Sequence, residues 1–236
     1  MPLTLDQQNA YRARYAQTHP TWQPATSVYE QTIRQHWTPD HTLLDLGCGR
    51  GGVVEQIIDL KGQRVGVDPD WASLAEHRLP MLPRAAATAD QLPFADASFR
   101  MVIAAWVLEH LPQPARTFAE ISRVMQPNGV CIVMTPNRSS PIALLNRTLK
   151  PMQQTLVPLL YGRAEADTFP VVYRANTPHD LAALAQGAGL TLEACALIPD
   201  PTYLAFNAPL YHLSAWLTDH LPPRWAVHLV GVLRKR

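Results

Sequence analysis

Apolar residues in this chain come in short blocks, with segments of helical spacing between them. Leu43-Leu44-Asp45-Leu46 ends at a run of glycines, which predicts a buried strand entering a tight turn. Val53 to Lys61 then places Val54, Ile57, Ile58 and Lys61 on one helical side. The alternation continues with a strand at Gln63–Asp68, a helix from Pro69 to Arg78 and a weak strand at Arg84–Ala89. A strand at Phe99–Ala105 precedes a helix from Pro114 to Gln126 whose inner side carries Phe118, Ile121, Val124 and Met125. Pro127-Asn128-Gly129 stops that helix, and Val130–Thr135 is a buried fifth strand. Thr177-Pro178-His179-Asp180 supplies a cap, a first-position proline and a first-turn acid for a helix to Gln186. Leu190–Ala196 and Ala226–Leu233 are the sixth and seventh strands. Strands alternating with helices predict an α/β fold with a parallel sheet.

Three stretches depart from the alternation. Residues 1–42 hold a polar helix over Asp6–Gln17, breakers at Pro20 and Pro24, and a second helix over Val28–Trp37 capped by Ser27. Their aromatics either pack this appendage onto the domain or belong to a lid. Residues 138–176 and 197–225 are insertions. Within the first, the leucine-rich 141–161 reads as a packed lid, a face for a hydrophobic substrate, or a membrane-surface helix. The whole, 1–236, is expected to be one domain with embellishments around a core at 43–137.

Composition narrows the function. A chain of 236 residues, 47% hydrophobic, can bury a full core, and a net charge of +1 gives no bulk electrostatic case for nucleic acid. Its 17% charged residues and 22 prolines suggest apolar loops and caps rather than a highly solvated surface. Cys48, Cys131 and Cys195 are odd in number and lack a Cys-x-x-Cys pair, so they read as buried thiols in a reducing compartment. The start, Met1-Pro2-Leu3-Thr4, has no charged-then-apolar leader pattern, and a cytoplasmic location is expected. Arg234-Lys235-Arg236 reads as a solvated tail, and the oligomeric state stays open.

Candidate chemistry collects where the strands end. Gly47, Gly49 and Gly52 fit G-x-G-x-x-G, so a dinucleotide is formally allowed. Asp45 opposes it, because a carboxylate at the strand end suits an ammonium group better than a pyrophosphate. Asp68, 21 residues after Gly47, can accept hydrogen bonds from both hydroxyls of a ribose. Trp106 and His110 follow the fourth strand, on the edge where open parallel sheets bind ligands. His110 is a candidate general base or a prop for its loop. Tyr173 and Arg174 either reach a substrate or pack their own loop.

The spacing Asp45-x-Gly47-x-Gly49-x-Gly51 resembles the first motif of class I S-adenosylmethionine (SAM)-dependent methyltransferases, nearest to the small-molecule branch that includes quinone-biosynthesis enzymes. Asp90-Gln91-Leu92-Pro93-Phe94-Ala95-Asp96-Ala97-Ser98-Phe99 resembles the same branch nearly residue for residue. The resemblance implies a doubly wound, Rossmann-like seven-stranded sheet in order 3-2-1-4-5-7-6 with strand 7 antiparallel. It implies SAM as methyl donor, held by Asp45, Gly47, Cys48, Gly49, Gly51, Asp68, Pro69, Asp90, Gln91, Leu92 and Trp106. Asp90 would accept the adenine amine, and Gln91 would offer its N–H to a ring nitrogen. Some relatives bind a metal through Glu-x-x-Glu-His; here Trp106 takes the first place, so no metal is expected. The implied activity is methyl transfer to O, N or C of a small apolar or aromatic molecule. The alternatives are a SAM-binding protein without catalysis and an NAD-dependent oxidoreductase.

Overall fold

A computed structural model describes residues 3–148 and 171–236. It divides into two compact units. The core unit comprises Thr26–Thr135, Val171–Ala196 and Val230–Arg236; the accessory unit comprises Met1–Ala25, Pro136–Pro170 and Leu197–Leu229.

The core unit is built on a seven-stranded sheet: β1 (Thr42–Leu46), β2 (Gln63–Asp68), β3 (Arg84–Ala86), β4 (Phe99–Ala105), β5 (Met125–Pro136), β6 (Leu190–Ile198) and β7 (His228–Lys235). The order is β3-β2-β1-β4-β5-β7-β6 with β7 antiparallel, as the resemblance implied. The pairs β1–β2, β1–β4, β2–β3 and β4–β5 are parallel, so the carboxyl ends of the first five strands share one edge. Leu43, Leu44, Met101, Val102, Cys131, Ile132 and Val133 are fully buried, because central parallel strands are covered on both faces.

Helices α1 (Leu5–Thr18) and α2 (Ala25–His36) precede β1; α3 (Val53–Gln56) and α4 (Trp71–Ala75) flank β2; α5 (Pro114–Val124) joins β4 to β5. Later come α6 (Pro141–Thr148), α7 (Pro178–Gly187) and α8 (Ala208–His220). The inner face of α5 matches the sequence pattern, with Phe118, Ile121 and Val124 fully buried. Thr177 caps α7 by accepting the Asp180 N–H at 3.0 Å.

Several boundaries differ from the sequence reading. Helix α2 starts at Ala25, directly after Pro24, so Ser27 lies in its first turn and does not cap it. A proline there costs nothing, since the N–H it lacks has no helical partner anyway. The helix expected to Lys61 stops at Gln56, which leaves Ile57 buried and Ile58 56% exposed. Four residues cannot sustain a helix alone, and β-branched Ile57-Ile58 does not extend it. The helix after β2 is capped by Asp70, which accepts the N–H groups of Ala72 and Ser73, and it spans only Trp71–Ala75. Strand β5 begins early: Met125 pairs with Phe99, then Gln126–Gly129 bulge out, with Asn128 at φ +60°, before Val130 pairs with Met101. Arg234 and Lys235 are no solvated tail. Arg234 pairs with Glu193, and Lys235 Nζ donates to the carbonyls of Ser122 and Met125 at 2.7 and 2.8 Å.

The accessory unit is stitched by polar contacts between distant segments. Arg12 of α1 pairs with buried Asp200 at 2.8 Å, Tyr15 donates to Asp219 at 2.5 Å, and Tyr11 stacks on Tyr211. Asn137 donates to the carbonyls of Arg224 and Ala226. Of the insertion 141–161, only α6 falls within the described residues, so the lid and membrane-surface readings of its remainder lie outside them. No helix among the described residues is long and apolar enough to cross a membrane.

Candidate active site

The glycine turn takes its shape from two needs. Gly47 has φ +74° and its N–H donates to the Val67 carbonyl at 2.8 Å; a Cβ there would collide with the Val107 side chain. Gly49, at φ +49°, points its N–H to Asp68 Oδ2 at 2.9 Å, which joins the turn after β1 to the end of β2. Asp68 Oδ1 also accepts the Asp70 N–H at 2.8 Å. Each carboxylate oxygen has a second lone pair, so Asp68 keeps capacity for two more donors. Outside the turn, Arg50 pairs with Glu76 and Glu55 with Arg78.

Asp45 is the chemically unusual member. It is 8% exposed near the end of β1, and its carboxylate has no hydrogen-bond or ion-pair partner among the described residues. Burial, then the charge of Asp68, pushes its pKa up to about 7. Fully buried Tyr29 is kept neutral by desolvation and by Asp45, and its hydroxyl donates to the Ile132 carbonyl. Cys48 is a protonated thiol, raised to about 12 by burial and by the same two acids. A cation brought to Asp45 would relieve an uncompensated buried charge.

The Asp90–Phe99 stretch owes its shape to a residue the sequence reading passed over. Arg123 of α5 donates to the carbonyls of Leu92 and Phe94 at 3.0 and 2.8 Å and to Asp96 at 2.8 Å. Glu120 orients that guanidinium and accepts the Leu92 N–H at 2.8 Å. The Glu120–Arg123 spacing on a predicted helix was the available signal. Asp90 lies in the turn beyond β3, half-buried, and its carboxylate has no partner among the described residues. The N–H of Gln91, expected to face a ring nitrogen, closes a turn onto the Thr88 carbonyl at 3.1 Å. Leu92 is buried, while Pro69 leads into Trp71, which is 72% exposed three residues past Asp68.

Beyond β4 the backbone is strained. Trp106 has φ +60°, rare for a bulky side chain, and donates its N–H to the Met134 carbonyl at 2.9 Å. His110 is half-buried, its Nε2 at 4.0 Å from Glu109 Oε1. Glu109, 5% exposed, accepts the Thr135 hydroxyl at 2.9 Å, and Thr135 accepts from Asn176 Nδ2 at 2.6 Å. Burial raises the Glu109 carboxyl, against the pull of His110 and Thr135. The Glu109 carbonyl accepts the N–H groups of Val172 and Tyr173 at 2.7 and 3.2 Å, and Arg174 donates to the Pro112 carbonyl. Both catalytic candidates, His110 and Tyr173, therefore sit in one hydrogen-bonded frame at the ends of β4 and β5. Among the described residues no three His, Cys, Asp or Glu side chains gather to hold a metal ion.

A family model described as "Methyltransferase domain" matches residues 44–133, which spans both acidic motifs placed above. These residues form a class I SAM-dependent methyltransferase domain. A "Probable S-adenosylmethionine-dependent methyltransferase" of Mycolicibacterium smegmatis is 35% identical over 113 residues, covering 47% of this chain and 43% of its own. A sterol 4-C-methyltransferase of Caenorhabditis elegans is 32% identical over 98 residues, 38% of this chain and 29% of its own. The chain thus spans less than half the length of the curated relatives it matches. Two solved structures share the fold of the methyltransferase domain and much of the surrounding chain. One comes from a complex of the Haloferax volcanii Trm112 methyltransferase activator with a methyltransferase (TM-score 0.63, 18% identity, covering 97% of this chain and 96% of that one). The other is geranyl diphosphate C-methyltransferase of Streptomyces coelicolor, solved with Mg2+, geranyl diphosphate and S-adenosyl-L-homocysteine (TM-score 0.63, 13% identity, covering 89% and 80%).

Proposed function

We propose that this protein transfers the methyl group of SAM to a nucleophilic oxygen, nitrogen or carbon of a small, apolar or aromatic molecule. One observation carries the cofactor side: Asp45 and Asp68 lie at the carboxyl ends of β1 and β2, Asp90 in the turn beyond β3, and the most buried of them lacks a cationic partner among the described residues. These residues fit SAM. Asp45 would take its ammonium group, Asp68 its ribose hydroxyls and Asp90 its adenine amine, while exposed Trp71 follows the ribose acid by three residues. When bound, SAM supplies an activated methyl on a cationic sulfur.

The chain's own contribution is alignment, because displacement needs the nucleophile, methyl and sulfur in line and positioning supplies most of the rate. The frame of Glu109, Thr135 and Asn176 fixes the backbone that carries Tyr173 and His110, and His110 can accept a proton from an acceptor that arrives protonated. Among the described residues, exposed aromatic and aliphatic side chains such as Trp106 and Val172 near this frame favour an apolar acceptor.

Calorimetry with SAM and S-adenosylhomocysteine tests the cofactor side, and a native extract incubated with methyl-labelled SAM identifies the acceptor. Saturable binding with a labelled small-molecule product is the expected result. Binding with no transfer to any extract component would leave a SAM-binding protein; NADH retention without SAM binding would overturn the reading.

A further inference from the structure

Within the accessory unit lies a cavity of about 400 Å³, a size usual for sites that take small organic molecules. Leu197, Leu204, Leu217 and Trp225 form much of its wall, stiffened by Pro199 and Pro222.

The polar groups on the wall are mostly committed elsewhere. Asp200 pairs with Arg12 and accepts the Thr202 N–H and hydroxyl. Asp219 takes the Tyr15 hydroxyl at 2.5 Å and lies 3.2 Å from His19 Nε2. Thr218 donates to the Ser214 carbonyl. The Tyr203 hydroxyl lies 2.7 Å from His228 Nε2, and burial holds that imidazole neutral, its pKa lowered to about 4. Ser214 differs: it is 7% exposed, lines the cavity, and its hydroxyl has no partner among the described residues.

We infer that this cavity binds a neutral, largely hydrocarbon small molecule carrying a single hydroxyl or carbonyl oxygen, which Ser214 anchors. A charged ligand would lose hydration against walls whose ionic groups already have partners, and a hydrocarbon without oxygen would leave Ser214 unpaired. The ligand is chemically unlike SAM, so its binding can be read separately from that of the cofactor.

The test uses the full-length chain and the neutral fluorophore N-phenyl-1-naphthylamine, with 1-decanol, decanoate and decylamine as competitors. Expected is saturable binding at one site, displaced by 1-decanol in preference to either charged analogue. Leu204→Trp should abolish it by filling the cavity. Ser214→Ala should keep fluorophore binding but weaken decanol competition by about three- to tenfold. S-adenosylhomocysteine calorimetry on the same samples checks that each variant is folded and reads the cofactor site separately. Absence of saturable binding to the folded wild type, binding indifferent to Leu204→Trp in a variant that still binds S-adenosylhomocysteine, or equal competition by the charged analogues would each overturn the inference.

Discussion

The Gly49 N–H donates to Asp68 Oδ2 at 2.9 Å, so the first glycine turn and the second acidic strand end form one rigid piece before any ligand arrives. Among the described residues a Cβ at Gly49 would meet only that oxygen, at 3.9 Å, whereas one at Gly47 would collide with Val107. Gly49→Ala should therefore cost about 1–2 kcal/mol of backbone strain, and Gly47→Ala clearly more. Asp68→Ala should free the turn and weaken SAM binding more than it lowers thermal stability. Chemical denaturation and calorimetry on the three variants give the ranking; equal losses for the two glycines would contradict it.

Asp45 should make SAM binding pH-dependent. Its carboxyl is raised to about 7 in the native chain, against roughly 3.9 when unfolded. The ligand-free native state then holds the extra proton between those values, so this group's stabilisation is full at low pH and is lost as pH rises through about 7. An ammonium ligand reverses the preference and expels the proton. Below pH 7, binding should release a proton, seen as a binding enthalpy that varies with the ionisation enthalpy of the buffer. Asp45→Asn should erase that release, weaken SAM binding by roughly ten- to a hundredfold, and raise ligand-free thermal stability at pH 8 relative to wild type.

Arg123 should matter for the adenosine side although it touches no ligand. Removing it frees the carbonyls of Leu92 and Phe94 and the Asp96 carboxylate. Arg123→Met should cost about 1–2 kcal/mol, a few degrees of Tm in a chain this size, and weaken SAM and adenosine together. Loss of SAM affinity with adenosine affinity intact would place the effect elsewhere.

Glu109 separates a neutral from an ionised role. Its buried carboxyl holds a proton to higher pH than usual. Glu109→Gln, which keeps a hydrogen-bonding group beside Thr135, should cost less than about 1 kcal/mol, while Glu109→Ala strands Thr135 and should cost about 1–3 kcal/mol. A glutamine variant as damaged as the alanine variant would show that the charge itself is needed. Hydrogen exchange at Val172 and Tyr173 should report the same order.

The sheet was legible because buried strands and glycine turns are local patterns: Gln63–Asp68 and Phe99–Ala105 match the sequence reading end to end. The positions of Asp45 and Asp68 were legible for the same reason, since acids at strand ends are placed by the strands that carry them. Less legible was whatever depends on partners far along the chain. Gln91 turns its N–H inward because Thr88 accepts it, and Arg123 shapes a motif some thirty residues upstream. Thr135 was read only as a strand end and Asn176 only as a loop residue, although each is fully buried and they join the ends of β4 and β5 to the segment before α7. Helix ends at Gln56 and Ala75 went wrong because periodicity alone cannot say where so short a helix gives out.

The accessory unit is gathered from three separated segments, while Thr26–Thr135 supplies five of the seven strands without interruption. A ribosome therefore delivers most of the sheet well before the last piece of the accessory unit exists. Closing loops that run from the first residues to beyond residue 197 is slow compared with pairing neighbouring strands. Emerging chains should pass through a stage in which the sheet is protected from proteases and α1 is not, and a stalled nascent chain ending near residue 200 would display that stage directly.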